Sequence, residues 1–267
     1  APVSDNNPFF FFTLKPGQIL GEEGLQRGID WKVNLGVLVL VLVLIISLIA
    51  VLLFLVLPLA LQGGRHQSPL PLLYFVAVGL GYILVEIAFI QRFVLFLGHP
   101  TYALTVVIFL LMLSSGLGSL FSRRWLPSAN LAWLPLVLII ATLLADVFFL
   151  PSRLAALVGL EFNLKLLISG IILAPLGFLM GMPFPTGLRA LAGESQEMPE
   201  GGVSEAGGLA DNAVEWAWAM NAAASVLGSV LAMVIAIQFG LNVTLACGAG
   251  AYLLALFLNP LLNRTRI

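Results

Sequence analysis

Residues 74–124 read YFVAVGLGYILVEIAFIQRFVLFLGHPTYALTVVIFLLMLSSGLGSLFSRR, and this stretch decides the fold. Two long apolar runs meet at Gly98-His99-Pro100. Each is long enough to cross a hydrocarbon core, which takes about 20 residues of helix. Neither alternates polar and apolar residues as a half-buried strand does, and an open sheet cannot span lipid. The pair reads as a transmembrane helical hairpin. Its first run carries Glu86 near the middle, with Gln91 and Arg92 further on. Its second ends in a glycine-serine cluster and the twin arginine Arg123-Arg124.

The same pattern continues on both sides of the hairpin. Of the 267 residues, 60% are hydrophobic and 9% charged, and the mean hydropathy is +1.07. Soluble domains carry about 25% charged residues, so this chain lies outside that class. Seven apolar runs can be marked: Val33–Leu61, Leu70–Leu97, Thr101–Phe121, Leu131–Leu150, Leu164–Met182, Ala217–Gln238 and Leu241–Leu258. Glycines and prolines punctuate them at Gly63-Gly64, Gly98, Pro127, Pro151, Pro183, Pro185, Gly240 and Pro260. The expected fold is all-α: a polytopic integral membrane helix bundle of about seven transmembrane helices over residues 33–267, set in a lipid bilayer. Residues 1–32 read as a linker and an interfacial segment, with the aromatic run Phe9–Phe12 docking on another domain or at the headgroups. Residues 193–215 hold five glycines and six acidic side chains and read as a mobile acidic loop.

Several function classes fall away. The net charge of −1 offers no basic field for nucleic acid. His66 and His99 are far apart and Cys247 is alone, so no metal-ligand spacing exists and no disulfide can form within the chain. Cys247 reads as a small core hydrophobe. There is no GxGxxG after a strand, no P-loop and no GxSxG, so the sequence names no cofactor and no catalytic residue. Gly79-Leu80-Gly81 lies inside a membrane helix and is no nucleotide loop.

Intramembrane carboxylates are costly, which makes Glu86 the sharpest signal. Tyr82 lies one helical turn earlier on the same face, where its hydroxyl is placed to hydrogen-bond the carboxyl group. Two readings are open for Glu86: a proton, cation or polar-substrate site, or a structural carboxylic acid bonded to a neighbouring helix. Arg92 is six positions on, a poor match for pairing along one helix, and is expected to snorkel toward the helix end. Gln91, Arg92 and Asn221 complete the candidate binding set with Glu86 and Tyr82. Asp146 is expected to reach the headgroups in a structural role, and His99 to mark an interfacial turn.

Asn221, Ser225, Gly228, Ser229 and Ala232 form a small, polar stripe suited to close helix packing. Ser114, Ser115, Gly116, Gly118 and Ser119 read the same way. Trp216 and Trp218 fit an aromatic belt. The GMPFPTGLR run at 181–189 is expected to break its helix sharply, as a plain terminus or as a gating or docking turn. Arg65, Arg123, Arg124, Arg189, Arg264 and Arg266 fall on one side of the membrane and Lys15, Arg27, Lys32, Arg153 and Lys165 on the other. This count leans toward a cytoplasmic first set.

Four runs carry a family likeness: GLGYILVEIAFIQRFVLFLGHPTYAL, SSGLGSLFSRR, GMPFPTGLRAL and WAWAMNAAASVLGSVLAMVIAIQFG. Together they resemble the membrane region of bacterial spermidine-synthase-like membrane proteins, which join a transporter-like helical region to a spermidine synthase-like domain. In that family an S-adenosyl-nucleotide-binding domain precedes the helices, and a turn of the Asp-Asp-Arg-Pro-Phe-Phe kind links the two. Asp5-Asn6-Asn7-Pro8-Phe9-Phe10 is similar to that turn, with asparagines in place of its second aspartate and its arginine. The chain opens on Ala1 with no signal peptide, so a piece of a longer protein is expected. SSGLGSLFSRR is also similar to the glycine-and-arginine loop of major facilitator transporters, but lacks the usual aspartate.

Three functions follow from these readings. The first is a membrane module that anchors, or presents substrate to, an S-adenosyl-nucleotide-dependent transferase domain absent from this chain. The second is a transporter-like domain for a small polar or cationic solute, using Glu86. The third is a non-catalytic scaffold among other membrane subunits. The expected location is the bacterial inner membrane.

Overall fold

In a computed structural model, Asn6 and residues 35–53, 57, 69–126, 131–196 and 205–264 are described. They form eight helices: α1 Leu35–Val51, α2 Pro69–Leu97, α3 Pro100–Trp125, α4 Trp133–Leu157, α5 Phe162–Met180, α6 Pro183–Gln196, α7 Glu205–Phe239 and α8 Leu241–Arg264. No strand occurs among the described residues. The all-α membrane bundle expected from the sequence is what the chain forms, because only helices satisfy each backbone N–H and C=O within a single segment of lipid-facing chain.

Among the described residues six spans are long and apolar enough to cross a membrane: 71–97, 100–125, 133–157, 162–191, 214–239 and 241–262. The first expected run, Val33–Leu61, appears as the 17-residue α1. That is the short limit for a crossing, and most of the remaining run lies outside the described residues. The readings of residues 1–32, Asn6 excepted, lie outside them as well.

α2 is the axis of the bundle. Over half of its apolar window is buried, more than in any other of the six spans. Around it stand α3, α5, α4, α8 and α7, each packed on the next in that order. Among the described residues α7 and α3 form no substantial contact, which leaves the ring open on that side. α6 lies across one end and touches α2, α3, α7 and α8, while α1 packs on α7. Outward faces carry large apolar side chains such as Phe109, Leu120, Phe148 and Phe257, as lipid contact requires.

Backbone chemistry sets the turns. Gly98 takes φ +82°, a left-handed conformation suited to glycine. His99 then caps α3, its Nδ1 accepting from the Thr101 N–H at 3.2 Å, with Pro100 in the first turn. Gly240, at φ +91°, separates α7 from α8. These short links place the Gly98 and Gly240 turns, and the α4–α5 connection, at one end of the bundle. Trp125, Trp133 and α6 lie at the other.

Proline is a weaker stop than the sequence suggests. α4 runs on through Pro151 and α8 through Pro260. Membrane helices tolerate proline because neighbouring groups can take up the freed carbonyls. The break expected at 181–189 is also shallow. Gly181 stays helical at φ −75° and ψ −15°, and α6 starts at Pro183. The acidic loop reading over 193–215 is corrected in part, since 193–196 and 205–215 are helical. Residues 197–204 lie outside the described set. Cys247 is exposed on the outer face of α8 and is not a core residue.

Candidate functional site

Two polar groups interrupt the apolar interior, and they divide the residues singled out from sequence. The first faces the open side of the ring. Gly79 and Ile83 of α2 meet α7: a Cβ at Gly79 would lie 2.7 Å from Asn221 Nδ2, and one at Gly228 would lie 2.3 Å from Ile83. Tyr82 faces α3 instead, with its hydroxyl 3.4 Å from Ser115 Oγ. At about 100° per residue, Glu86 falls between those two directions. It therefore points into the gap between α3 and α7, where it is half-buried.

The expected Tyr82–Glu86 hydrogen bond does not form. Tyr82 is close enough for its charge state to feel Glu86, but its hydroxyl is turned to Ser115. Among the described residues no hydrogen bond or ion pair holds the Glu86 carboxyl. Gln91 reaches α7, its Nε2 lying 3.7 Å from Met233 Sδ. Asn221 serves packing: its Nδ2 donates to the Phe75 carbonyl at 3.1 Å. Phe184 of α6 and Trp218 of α7 meet with ring centroids 4.6 Å apart. Trp218 is otherwise exposed, as an aromatic belt requires.

The second group lies on the opposite side of α2. Arg92 does not snorkel; it is 3% exposed, and its Nη2 donates to Asn242 Oδ1 on α8. Asp146 of α4 stands near enough for its charge to interact with that of Arg92. Asp146 is thus an interior partner rather than a headgroup contact, and its Oδ2 is buried with no hydrogen-bond partner among the described residues. A buried arginine without a counter-charge is very costly, which is the physical reason to place a carboxylate opposite it.

Asn242 is itself held in place. Its N–H donates to Asn6 Oδ1 at 2.7 Å, and the Leu241 N–H donates to the Asn6 carbonyl at 2.8 Å. Asn6 thereby satisfies two of the four N–H groups that the first turn of α8 leaves open. Gly240 makes room for it, since a Cβ there would sit 2.6 Å from Asn6 Nδ2. Hydrogen bonds link Asn6 to Asn242 and Asn242 to Arg92, whose charge in turn acts on Asp146. Beside Arg92 lies a cleft of about 20 Å³ lined by Leu95, Phe96, Pro151, Leu154, Ala155 and Val158. Lys165 stands over the Phe96 ring at 5.7 Å.

The remaining polar residues serve packing. Ser114, Ser115 and Gly118 of α3 face Gly177, Phe178 and Gly181 of α5 at backbone contact, whereas Gly116 and Ser119 point outward. Arg189 donates to Ser122 Oγ at 3.0 Å and Thr186 Oγ1 at 3.1 Å, tying α6 to α3. Tyr74 donates to the Pro183 carbonyl at 3.0 Å. The 181–189 run is a packed corner of the bundle.

Sequence reasoning missed Asn6 and Asn242 as members of the second group, and it did not join Asp146 to Arg92. The signal for the last was present, since two opposite charges in different spans are candidates to pair. The asparagines carried none, because their roles depend on where α8 begins.

No family model, curated protein or solved structure matches the chain. Among the described residues no group of three or more His, Cys, Asp or Glu side chains could hold a metal ion.

Proposed function

We propose that this chain is the membrane module of a spermidine-synthase-like protein of the bacterial inner membrane. In this reading the bundle anchors an S-adenosyl-nucleotide-dependent transferase domain and holds it over the Gly98 end. The observation that carries it is the seat of Asn6. The residue that falls in the linker-like Asp5–Phe10 turn is clamped by two hydrogen bonds to the start of α8. A segment fixed in this way can set the position of a domain that precedes it, which a free tether cannot. Close glycine contacts between α2 and α7 and between α3 and α5 make the platform stiff. Since S-adenosyl nucleotides are cytoplasmic, the Gly98 end faces the cytoplasm here, against the lean of the arginine count.

The test is the intact mass of the native protein taken from membranes, with a pull-down of S-adenosyl-nucleotide-binding partners. A longer chain or a bound partner with that activity supports the reading. This chain alone, with neither, refutes it. Reporter fusions after α8, whose last described turn lies at the Trp125 end, should read non-cytoplasmic.

The open side of the ring favours a second reading, in which the bundle binds a small cationic solute at Glu86. A carboxyl group without a partner among the described residues, set in a gap in the helix ring, is the feature a cation site would need. Uptake of cationic solutes into vesicles, with Glu86→Gln as the comparison, decides it: equal uptake by both proteins removes this reading.

A further inference from the structure

The Trp125 end of the bundle gathers arginines from two helices. Arg123 and Arg124 close α3, and both side chains are exposed. Cations in a last turn have a plain reason, since they face the negative end of the helix and snorkel to the headgroups. Arg189 is different. It comes from α6 and is half-buried. Its Nη1 donates to Ser122 Oγ at 3.0 Å and its Nη2 to Thr186 Oγ1 at 3.1 Å. The first bond fixes its guanidinium against the neighbour of Arg123 in the chain, and the charge of Arg123 acts on it. Two cations held at one helix seam repel each other, yet among the described residues no carboxylate pairs with either. A guanidinium carries five N–H donors, and both acceptors that Arg189 has here are neutral hydroxyls.

The surroundings of this pair are shaped for an amphiphile. Ser115 meets Tyr82, and Ser119 and Arg123 follow it at one-turn steps along the side of α3 that borders the gap toward α7. Gly116 lies beside them, and a Cβ there would meet nothing within 4 Å. Arg124, about 100° further round, turns away from the gap. Trp125 is 59% exposed and sets this turn at headgroup depth. Glu86 belongs to a different level. From the Tyr82–Ser115 contact α2 runs on to Glu86 and Gly98, while α3 runs the opposite way to Arg123.

We propose that Arg123 and Arg189 bind the phosphate of an anionic phospholipid whose acyl chain lies along Gly116 and Ser119. The phosphate supplies the counter-charge for the two arginines, and guanidinium forks match its oxygens. Basic pockets between membrane helices hold anionic headgroups in this way. A zwitterionic lipid fits less well, because its own ammonium group offsets its phosphate. The bound lipid bridges α3 and α6 and adds to the tie from Arg189 to Ser122. Neither the transferase domain nor Glu86 takes part, so the two functional readings stand whether or not the lipid binds.

Tryptophan quenching by brominated lipid tests the site, with the full chain in phosphatidylcholine vesicles. Brominated phosphatidylglycerol or brominated phosphatidylcholine is added in rising fraction, and Trp125 reports from the same turn of α3. Phosphatidylglycerol should quench at a several-fold lower mole fraction than phosphatidylcholine. Arg123→Gln should remove most of that preference. Its side chain is exposed and has no partner to lose among the described residues, so the fold should stay intact. Arg189→Gln should act in the same direction, whereas Arg124→Gln should keep the preference. Gly116→Leu, which fills the groove, should weaken phosphatidylglycerol binding with all three arginines in place. Equal quenching by the two lipids overturns the site. So does an equal loss in Arg123→Gln and Arg124→Gln, which is the mark of general attraction between a basic end and an anionic surface. Excess inorganic phosphate should leave the preference unchanged; if it abolishes the preference, the arginines take free phosphate and the lipid assignment falls.

Discussion

Replacing Gly118 by alanine sets two effects of opposite sign against each other. Alanine is the better helix former, by about 1 kcal/mol, so propensity alone predicts a more stable α3. The tertiary contact opposes this. A Cβ at position 118 would lie 1.9 Å from the Phe178 carbonyl oxygen of α5, where ordinary contact begins at 3.4 Å. The obstacle is backbone, which cannot swing aside as a side chain can. Relief requires α3 and α5 to part by about 1.5 Å, which also loosens Gly177 against Ser114 and Gly181 against Ser115. Overpacking of this kind costs about 1–3 kcal/mol, so the net change should be a loss. Gly116 is the matched control. It sits in the same helix, and a Cβ there meets nothing within 4 Å. Gly116→Ala should be neutral or stabilising by up to about 1 kcal/mol. Reversible unfolding in mixed micelles, or steric trapping in bicelles, reads both. Equal stability of the two variants would refute the backbone-contact argument.

Three further outcomes follow from the polar groups. Arg92→Ala removes the bond to Asn242 and the charge that acts on Asp146, so it should destabilise the bundle, and adding Asp146→Asn should recover part of that loss; a double-mutant cycle with no coupling would contradict the interaction. Asn6→Ala removes one cap of α8, and a cap lost to alanine costs about 1 kcal/mol; the same unfolding assay reads it, and hydrogen exchange at Leu241 and Asn242 should rise. Tyr74→Phe deletes the bond to the Pro183 carbonyl and should cost about 1 kcal/mol without altering the fold, checked by melting temperature.

Much of the architecture was legible in the sequence, and particular residues show why. The Gly98-His99-Pro100 turn could be placed because its chemistry is local: a glycine at positive φ, a capping side chain, then a proline. The packing roles of Ser114, Gly118, Asn221 and Gly228 were readable because small residues at helical spacing have few other uses in a membrane helix. Pro151 and Pro260 misled, since their effect depends on whether a neighbour can satisfy the freed carbonyl. Cys247 misled because apolar periodicity does not tell which face meets protein and which meets lipid when both are hydrocarbon.

By itself, then, the sequence determined that this chain is an all-helical membrane protein and where most of its helices turn. Backbone groups in lipid leave no other option, and turn chemistry is written in adjacent residues. Only the tertiary structure decided which polar residues meet. It turned Tyr82 from Glu86 to Ser115, left Glu86 in the gap between α3 and α7, and set the charge of Arg92 to act on Asp146, 54 residues away in the chain. It also brought Asn6 to the start of α8, over a separation of 236 residues to Asn242. Such pairings depend on the rotation and depth of each helix, and these are set by packing summed over the whole bundle.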